Sequence, residues 1–220
     1  RITPAQAKEK PELERRVSYQ NLPEKYQNVV VGCAECHNMR PDKHKDTFDH
    51  QGARVHTVVT PDDCAVCHPF EREQFSRNLM AEAHGNLENN PVYADLTQST
   101  NGPLTFENMA LSHGTPDART SADSCLFCHG TRLTVEKFET RYTDIGPMEF
   151  PKISGWPNQG VGRINPDDSK GSCSACHTRH EFSIEMARKP YTCSECHKGP
   201  DVPAYKVYKA SKHANIVDSL

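Results

Sequence analysis

Apolar positions along this chain form few periodic stripes, and most of its structural signals are capping and breaking residues. Residues 1–32 read as a polar helical lead-in interrupted by Pro11 and Pro23. Thr60-Pro61-Asp62-Asp63 has the form of a helix start, with a hydroxyl cap and proline at the first helical position. Beyond Pro69 the pattern predicts a helix over 70–84. Asp201-Val202-Pro203 introduces a last helix to about residue 217, with Tyr205, Tyr208 and Ile216 near one face and Lys212 interrupting it. Segments 86–124 and 142–172 are rich in Asn, Pro, Gly, Asp and Ser and read as loops. No segment reads clearly as a strand. The expected fold is mainly α with extensive loops and almost no β-structure, a single domain over 33–220 behind the lead-in. No apolar run approaches the roughly 18 residues that a membrane-spanning helix needs.

Composition makes that fold hard to stabilise by itself. Apolar residues are 35% of the 220, charged residues 25%, and the 16 prolines outnumber the 12 glycines, which is poor material for a core of this length. Something other than side chains has to supply apolar volume.

The cysteines identify it. All ten fall into five copies of one spacing, each followed at once by histidine: Cys33/Cys36/His37, Cys64/Cys67/His68, Cys125/Cys128/His129, Cys173/Cys176/His177 and Cys193/Cys196/His197. Chance at this composition would give roughly 0.025 such pentapeptides. C-x-x-C-H is the attachment signature of haem c, in which two thiols add to the haem vinyl groups and the histidine becomes the proximal iron ligand. Zinc sites draw on four ligands, which five pairs cannot share evenly, and disulfides or thioredoxin-like chemistry leave the fivefold histidine unexplained. Five covalent haems are therefore expected, with the macrocycles forming the core.

Seven histidines remain after the five proximal ones: His44, His50, His56, His84, His113, His180 and His213. They outnumber five distal positions. His50, His56, His84, His113, His180 and His213 are the candidates, and His44 is the weakest of the seven. His180 follows His177 by three residues, so it lies on the same side of that haem and is expected to ligate a different one. The gaps between motifs are 26, 56, 43 and 15 residues, and the last makes the fourth and fifth haems neighbours.

Haem c is attached outside the cytoplasm. The chain starts at Arg1 without a basic or apolar leader, which reads as a mature form with its signal peptide removed. The expected location is periplasmic or extracellular. Net charge is −3, and two propionates per haem would add to it, so nucleic-acid binding has no electrostatic support. The expected partners are redox proteins or an extracellular acceptor, with assembly into homo-oligomers or filaments as a further expectation.

Several segments resemble the octahaem hydroxylamine oxidoreductase family. They are Cys173 to Ser183, Ala187 to Pro190, Cys193 to Asp201 and Ser211 to Ala214, together with Gly32 to His37 and Thr60 to His68. The resemblance implies that the five haems correspond to that family's second to sixth, with the Cys125/Cys128/His129 haem at the catalytic, five-coordinate position. It also implies an Asp-His pair for proton transfer. Asp201 is retained, but Val202 stands where the family has His, and the family's first motif, last two motifs and cross-linking tyrosine have no counterpart here. Two functions stand: an electron carrier, or an oxidoreductase acting on hydroxylamine, nitrite or a similar small molecule at the Cys125/Cys128 haem. The departures favour the carrier.

Overall fold

The computed structural model describes residues 24–26, 31–178, 180–199 and 202–219. The lead-in helix expected over 1–32 lies almost wholly outside them. The chain divides into two compact units, one reaching Ser172 and one running from Cys173.

In the first unit the motif helices are single turns: α1 (Cys33–His37), α2 (Pro61–Cys64), which runs into the second motif, and, further on, Cys125–His129. The start read at Thr60 is present: Asp63 Oδ2 accepts from Thr60 N (2.8 Å) and Thr60 Oγ1 (3.0 Å), and Pro61 opens the helix. The helix expected over 70–84 is shorter and broken. It becomes α3 (Pro69–Ser76), a 3-10 turn at Leu79–Glu82 and α4 (Ala83–Glu88), with Asn78 capping the turn through Met80 N. Then follow α5 (Pro91–Asn101), α6 (Ala118–Asp123) and α7 (Cys125–His129).

The expectation of almost no β-structure is wrong. Three antiparallel hairpins are present: β1 (Thr47–His50) with β2 (Ala53–His56), β3 (Leu104–Glu107) with β4 (Ala110–His113), and β5 (Thr134–Thr143) with β6 (Gly146–Ser154). Segments 86–124 and 142–172, read as loops, in fact hold α5, α6, β3 and β4, and β6. Gln51-Gly52 and Asn108-Met109 both sit at positive φ in two-residue connections, the geometry whose twist matches that of paired strands. β1 also packs on β6, with the Phe48 and Phe150 rings 5.2 Å apart.

The segment after β6 folds back over α7. Asn158 Nδ2 donates to Leu126 O (2.8 Å) and Val161 N to Cys128 O (3.0 Å), while Leu133 N donates to Ile164 O (2.8 Å) and both residues are buried.

In the second unit, a 3-10 turn at Cys173–Ala175 precedes α8 (Ile184–Arg188), α9 (Pro190–Ser194), α10 (Ala204–Lys209) and α11 (Lys212–Asp218). The last helix read from the sequence is thus two helices, because Ser211 caps a new one through Ala214 N (3.4 Å). Buried apolar side chains are few among the described residues: Val58, Ala81, Leu87, Leu133 and Ile164 in the first unit and Ala214 in the second.

Candidate haem-binding site

The ten cysteines expected to carry haem lie in their five motif turns. Cys33 and Cys193 are exposed, whereas Cys36, Cys64, Cys67, Cys125, Cys128, Cys173, Cys176 and Cys196 are half-buried. The fifth pair shares one tight turn, in which Cys196 N donates to Cys193 O (3.3 Å). Burial, followed by the nearby Glu35, Cys67, Asp63 and Cys33, pushes the Cys36 thiol up to about 11. Burial, then Cys193 and Cys173, also raises the Cys176 thiol. A zinc site would need thiolates converging on one point. Among the described residues the only grouping of metal-ligating side chains is His44, His56 and Asp63, which contains no cysteine. Paired thiols at this spacing suit thioether formation, whose product carries no charge.

The proximal histidines fit the same group. His37 Nδ1 donates to His56 O (2.8 Å) and His129 Nδ1 to Ala83 O (2.9 Å). Donation from Nδ1 fixes the tautomer and leaves the Nε2 lone pair for a metal, the usual outer-shell arrangement of a ligating imidazole. His68 Nδ1 lies 3.8 Å from Glu71 Oε2. In the second unit His177 N and His197 N close their motif turns on Cys173 O (3.0 Å) and Cys193 O (2.9 Å), and His197 O accepts from Tyr205 N (2.9 Å).

The remaining histidines lie in different surroundings. His84, at the start of α4, donates from Nδ1 to Gly130 O (2.6 Å), while His129 donates to Ala83 O. Each ring is thus bonded to the carbonyl of the residue beside the other histidine. His113 ends β4 with its Nδ1 buried and lacking a hydrogen-bond partner. His50 is exposed beside the β1–β2 turn, and His180 and His213 are exposed in the second unit.

His56 is 1% exposed, with Nδ1 3.1 Å from Val58 O and Nε2 2.9 Å from Met39 O. Its ring stacks on His44 at 3.6 Å and 7°. His44 Nε2 donates to Asp63 Oδ1 (3.0 Å), and its Nδ1 makes an ion pair with Asp46 Oδ1 at 3.4 Å. Asp46 Oδ2 accepts from Thr57 N and Val58 N. Burial alone would lower the His44 pKa, but the Asp46 and Asp63 carboxylates outweigh it and hold the group up at about 9. Burial, then the charge on His44, pushes His56 down.

Arg40, Asp63, Thr60 and Asp167 extend this network. Arg40 Nη1 lies 3.6 Å from Asp63 and 3.7 Å from Asp167, and Thr60 Oγ1 donates to Asp167 Oδ2 (2.9 Å). Sequence reasoning missed Asp46, Asp63 and Arg40 as a cluster; only the cap at Thr60 marked one member. Around the third motif, Asn101 Nδ2 on α5 donates to Ser124 Oγ (2.7 Å) and lies 3.7 Å from Cys125 Sγ. Asp201 lies outside the described residues, and Val202 beside it is 39% exposed.

Gly130 ties this region together at φ +92, where a Cβ would fall at clash distance from Arg163 N. Gly130→Ala is expected to cost more than ~2 kcal/mol through the positive-φ backbone and the displaced Arg163 main chain. Gly52→Ala, at φ +80 with open space around it, should cost only about 1–2 kcal/mol. Denaturant midpoints of the two haem-loaded variants make the comparison.

Residues 162–220 match the family model described as seven times multi-haem cytochrome CxxCH. The chain is 27% identical to a probable nitrite reductase-hydroxylamine oxidoreductase fusion protein of Kuenenia stuttgartiensis, over 72% of this chain and 22% of that one. It also resembles a solved structure titled hypothetical multiheme protein, with 47% identity and a TM-score of 0.77, over 98% of this chain and 41% of the other. The chain thus spans less than half the length of either relative. The motifs and these likenesses together make it a multihaem cytochrome with covalently bound haem c.

Proposed function

We propose that this chain carries five haems and conducts electrons between redox partners outside the cytoplasm, its haem row extending into neighbouring subunits where it assembles. The observation that carries the reading is the set of five C-x-x-C-H turns, two of which already hold their histidine by an Nδ1 hydrogen bond. Bound haem supplies reversible one-electron chemistry. The protein supplies ten thiols for attachment, imidazoles fixed in one tautomer, and apolar walls for the macrocycles. Large hydrophobic side chains that the polypeptide leaves exposed, among them Phe70, Val92, Leu96 and Phe127, are suited to that last task. Among the described residues no helix is long and apolar enough to cross a membrane.

An oxidoreductase reading rests on the relative whose name includes hydroxylamine oxidoreductase. Its centre would be the Cys125/Cys128 haem with Asp201. Val202 argues against it, since an aliphatic side chain neither accepts a proton nor hydrogen-bonds a bound molecule. A general base contributes about two to four orders of magnitude in rate. The haem-loaded protein should therefore turn over hydroxylamine and nitrite barely or not at all, while dithionite reduces and an oxidant reoxidises every haem. Steady-state assays beside Val202→His decide the matter. Robust turnover by the unmodified protein would replace the carrier with the enzyme, and turnover by Val202→His alone would identify a catalytic pocket kept in a conducting chain.

A further inference from the structure

The distal ligand set follows from which histidines have a nitrogen to offer. In the stacked pair His44/His56, three ring nitrogens are hydrogen-bonded to protein oxygens, Asp63 Oδ1 at 3.0 Å, Val58 O at 3.1 Å and Met39 O at 2.9 Å, and the fourth, His44 Nδ1, has no hydrogen bond but is ion-paired with Asp46 Oδ1 at 3.4 Å. Both residues are buried, at 5% and 1% exposure. An iron approaching either ring would have to displace a buried carbonyl or carboxylate and leave it unsatisfied, which costs on the order of 1–3 kcal/mol for a neutral group and more for a charged one.

The other five histidines differ. His84 is bonded only through Nδ1, so its Nε2 is open. The buried Nδ1 of His113 has no hydrogen-bond partner. His50, His180 and His213 are exposed, and no hydrogen bond or ion pair to a described residue engages their rings. The numbers also match unit by unit. The first unit has three motifs and three such histidines, His50, His84 and His113. The second has two motifs and two, His180 and His213.

From this we infer that His50, His84, His113, His180 and His213 are the complete distal set, and that His56 is a positioning residue. Its ring, locked against His44, fixes the backbone whose carbonyl accepts from the proximal His37 (2.8 Å). The inference rests on the five-haem reading and sharpens it: every iron is six-coordinate within the chain, with no histidine to spare.

The test uses the haem-loaded protein, with intact mass measured first. A mass gain of fewer than five haems would overturn the five-haem reading itself, separately from the ligand assignment. With five haems present, EPR and magnetic circular dichroism count high-spin and low-spin irons. The unmodified protein should show five low-spin haems. His56→Gln should keep all five low-spin while altering the signal of one, because its carbonyl supports His37. Each alanine variant of the five named histidines should convert one haem, and a different one each time.

A new high-spin haem in His56→Gln, or a high-spin haem in the unmodified protein, would overturn the assignment. Should His56→Gln fail to fold, the five alanine variants still decide. If any of them leaves all haems low-spin, His44 or His56 must complete the count and the inference falls.

Discussion

Produced without haem attachment, for instance with all ten motif cysteines changed to serine, the chain will show no cooperative unfolding transition. Its far-UV circular dichroism will be close to that of a disordered polypeptide. The described residues bury only six apolar side chains, two of them alanines, and burying a Val, Leu or Ile contributes about 1.5–3 kcal/mol. Burial of that extent is small for a chain of 220 residues, while 21 large hydrophobic residues among those described remain exposed. The macrocycles supply the missing apolar contact. Urea titration followed by fluorescence of Trp156, the one tryptophan, checks this. A sigmoidal transition with a slope of about 1–3 kcal/mol/M would mean that the polypeptide folds on its own contacts.

In the haem-loaded protein, Asp63→Ala should be the most damaging single change outside the motifs, at about 3–5 kcal/mol. It removes one of the two carboxylates around a buried imidazolium, the acceptor of Thr60 N and Oγ1, and one anion beside Arg40. The loss should depend on pH. The folded His44 pKa of about 9 lies above its ordinary 6.5, so its ion pairing stabilises fully below pH 6.5 and fades as pH rises through 9. Asp46 is displaced the other way: burial opposes ionisation, but His44 and the Val58 N–H outweigh it and hold the carboxyl low. Its share is present above the ordinary carboxylate range and is lost as pH falls below it. The gap between the two proteins' denaturant midpoints should therefore be widest near pH 6 and narrow above pH 9 to the pH-independent share from Thr60 and Arg40. A pH-independent difference would mean that His44 is neutral in the folded protein.

Chemistry is far more legible in this sequence than architecture. Two thiols and an imidazole at fixed spacing are a covalent requirement, so the five motifs, from Cys33 to Cys196 and His197, read directly. The start at Thr60 is legible too, because its cap is local. The strands are not. Thr134–Thr143 is rich in β-branched and aromatic residues and its turn opens on Asp144 and is followed by Gly146, a signal outweighed by the surrounding Pro and Gly. The Gln51-Gly52 turn is an equally available signal. The breaks at Arg77 and Ala210 are harder to see, since Asn78 and Ser211 act as caps only once the chain has turned there. The stack of His44 on His56 has no signal at all. Eleven residues separate the two, and only the β1–β2 hairpin brings them together.

The crossed bonds between His84 and His129 bear on how fast charge can pass. An electron arriving at an iron is delayed by whatever must reorganise around it, and an axial imidazole free to rotate or slide is part of that burden. Here each ring is anchored to the backbone beside the other, and Gly130 is wedged against Arg163 where no larger residue fits. Were irons held at the two Nε2 atoms, neither imidazole could turn without dragging the peptide that carries its counterpart, and rings anchored in this way would add little reorganisation when the charge on either iron changed.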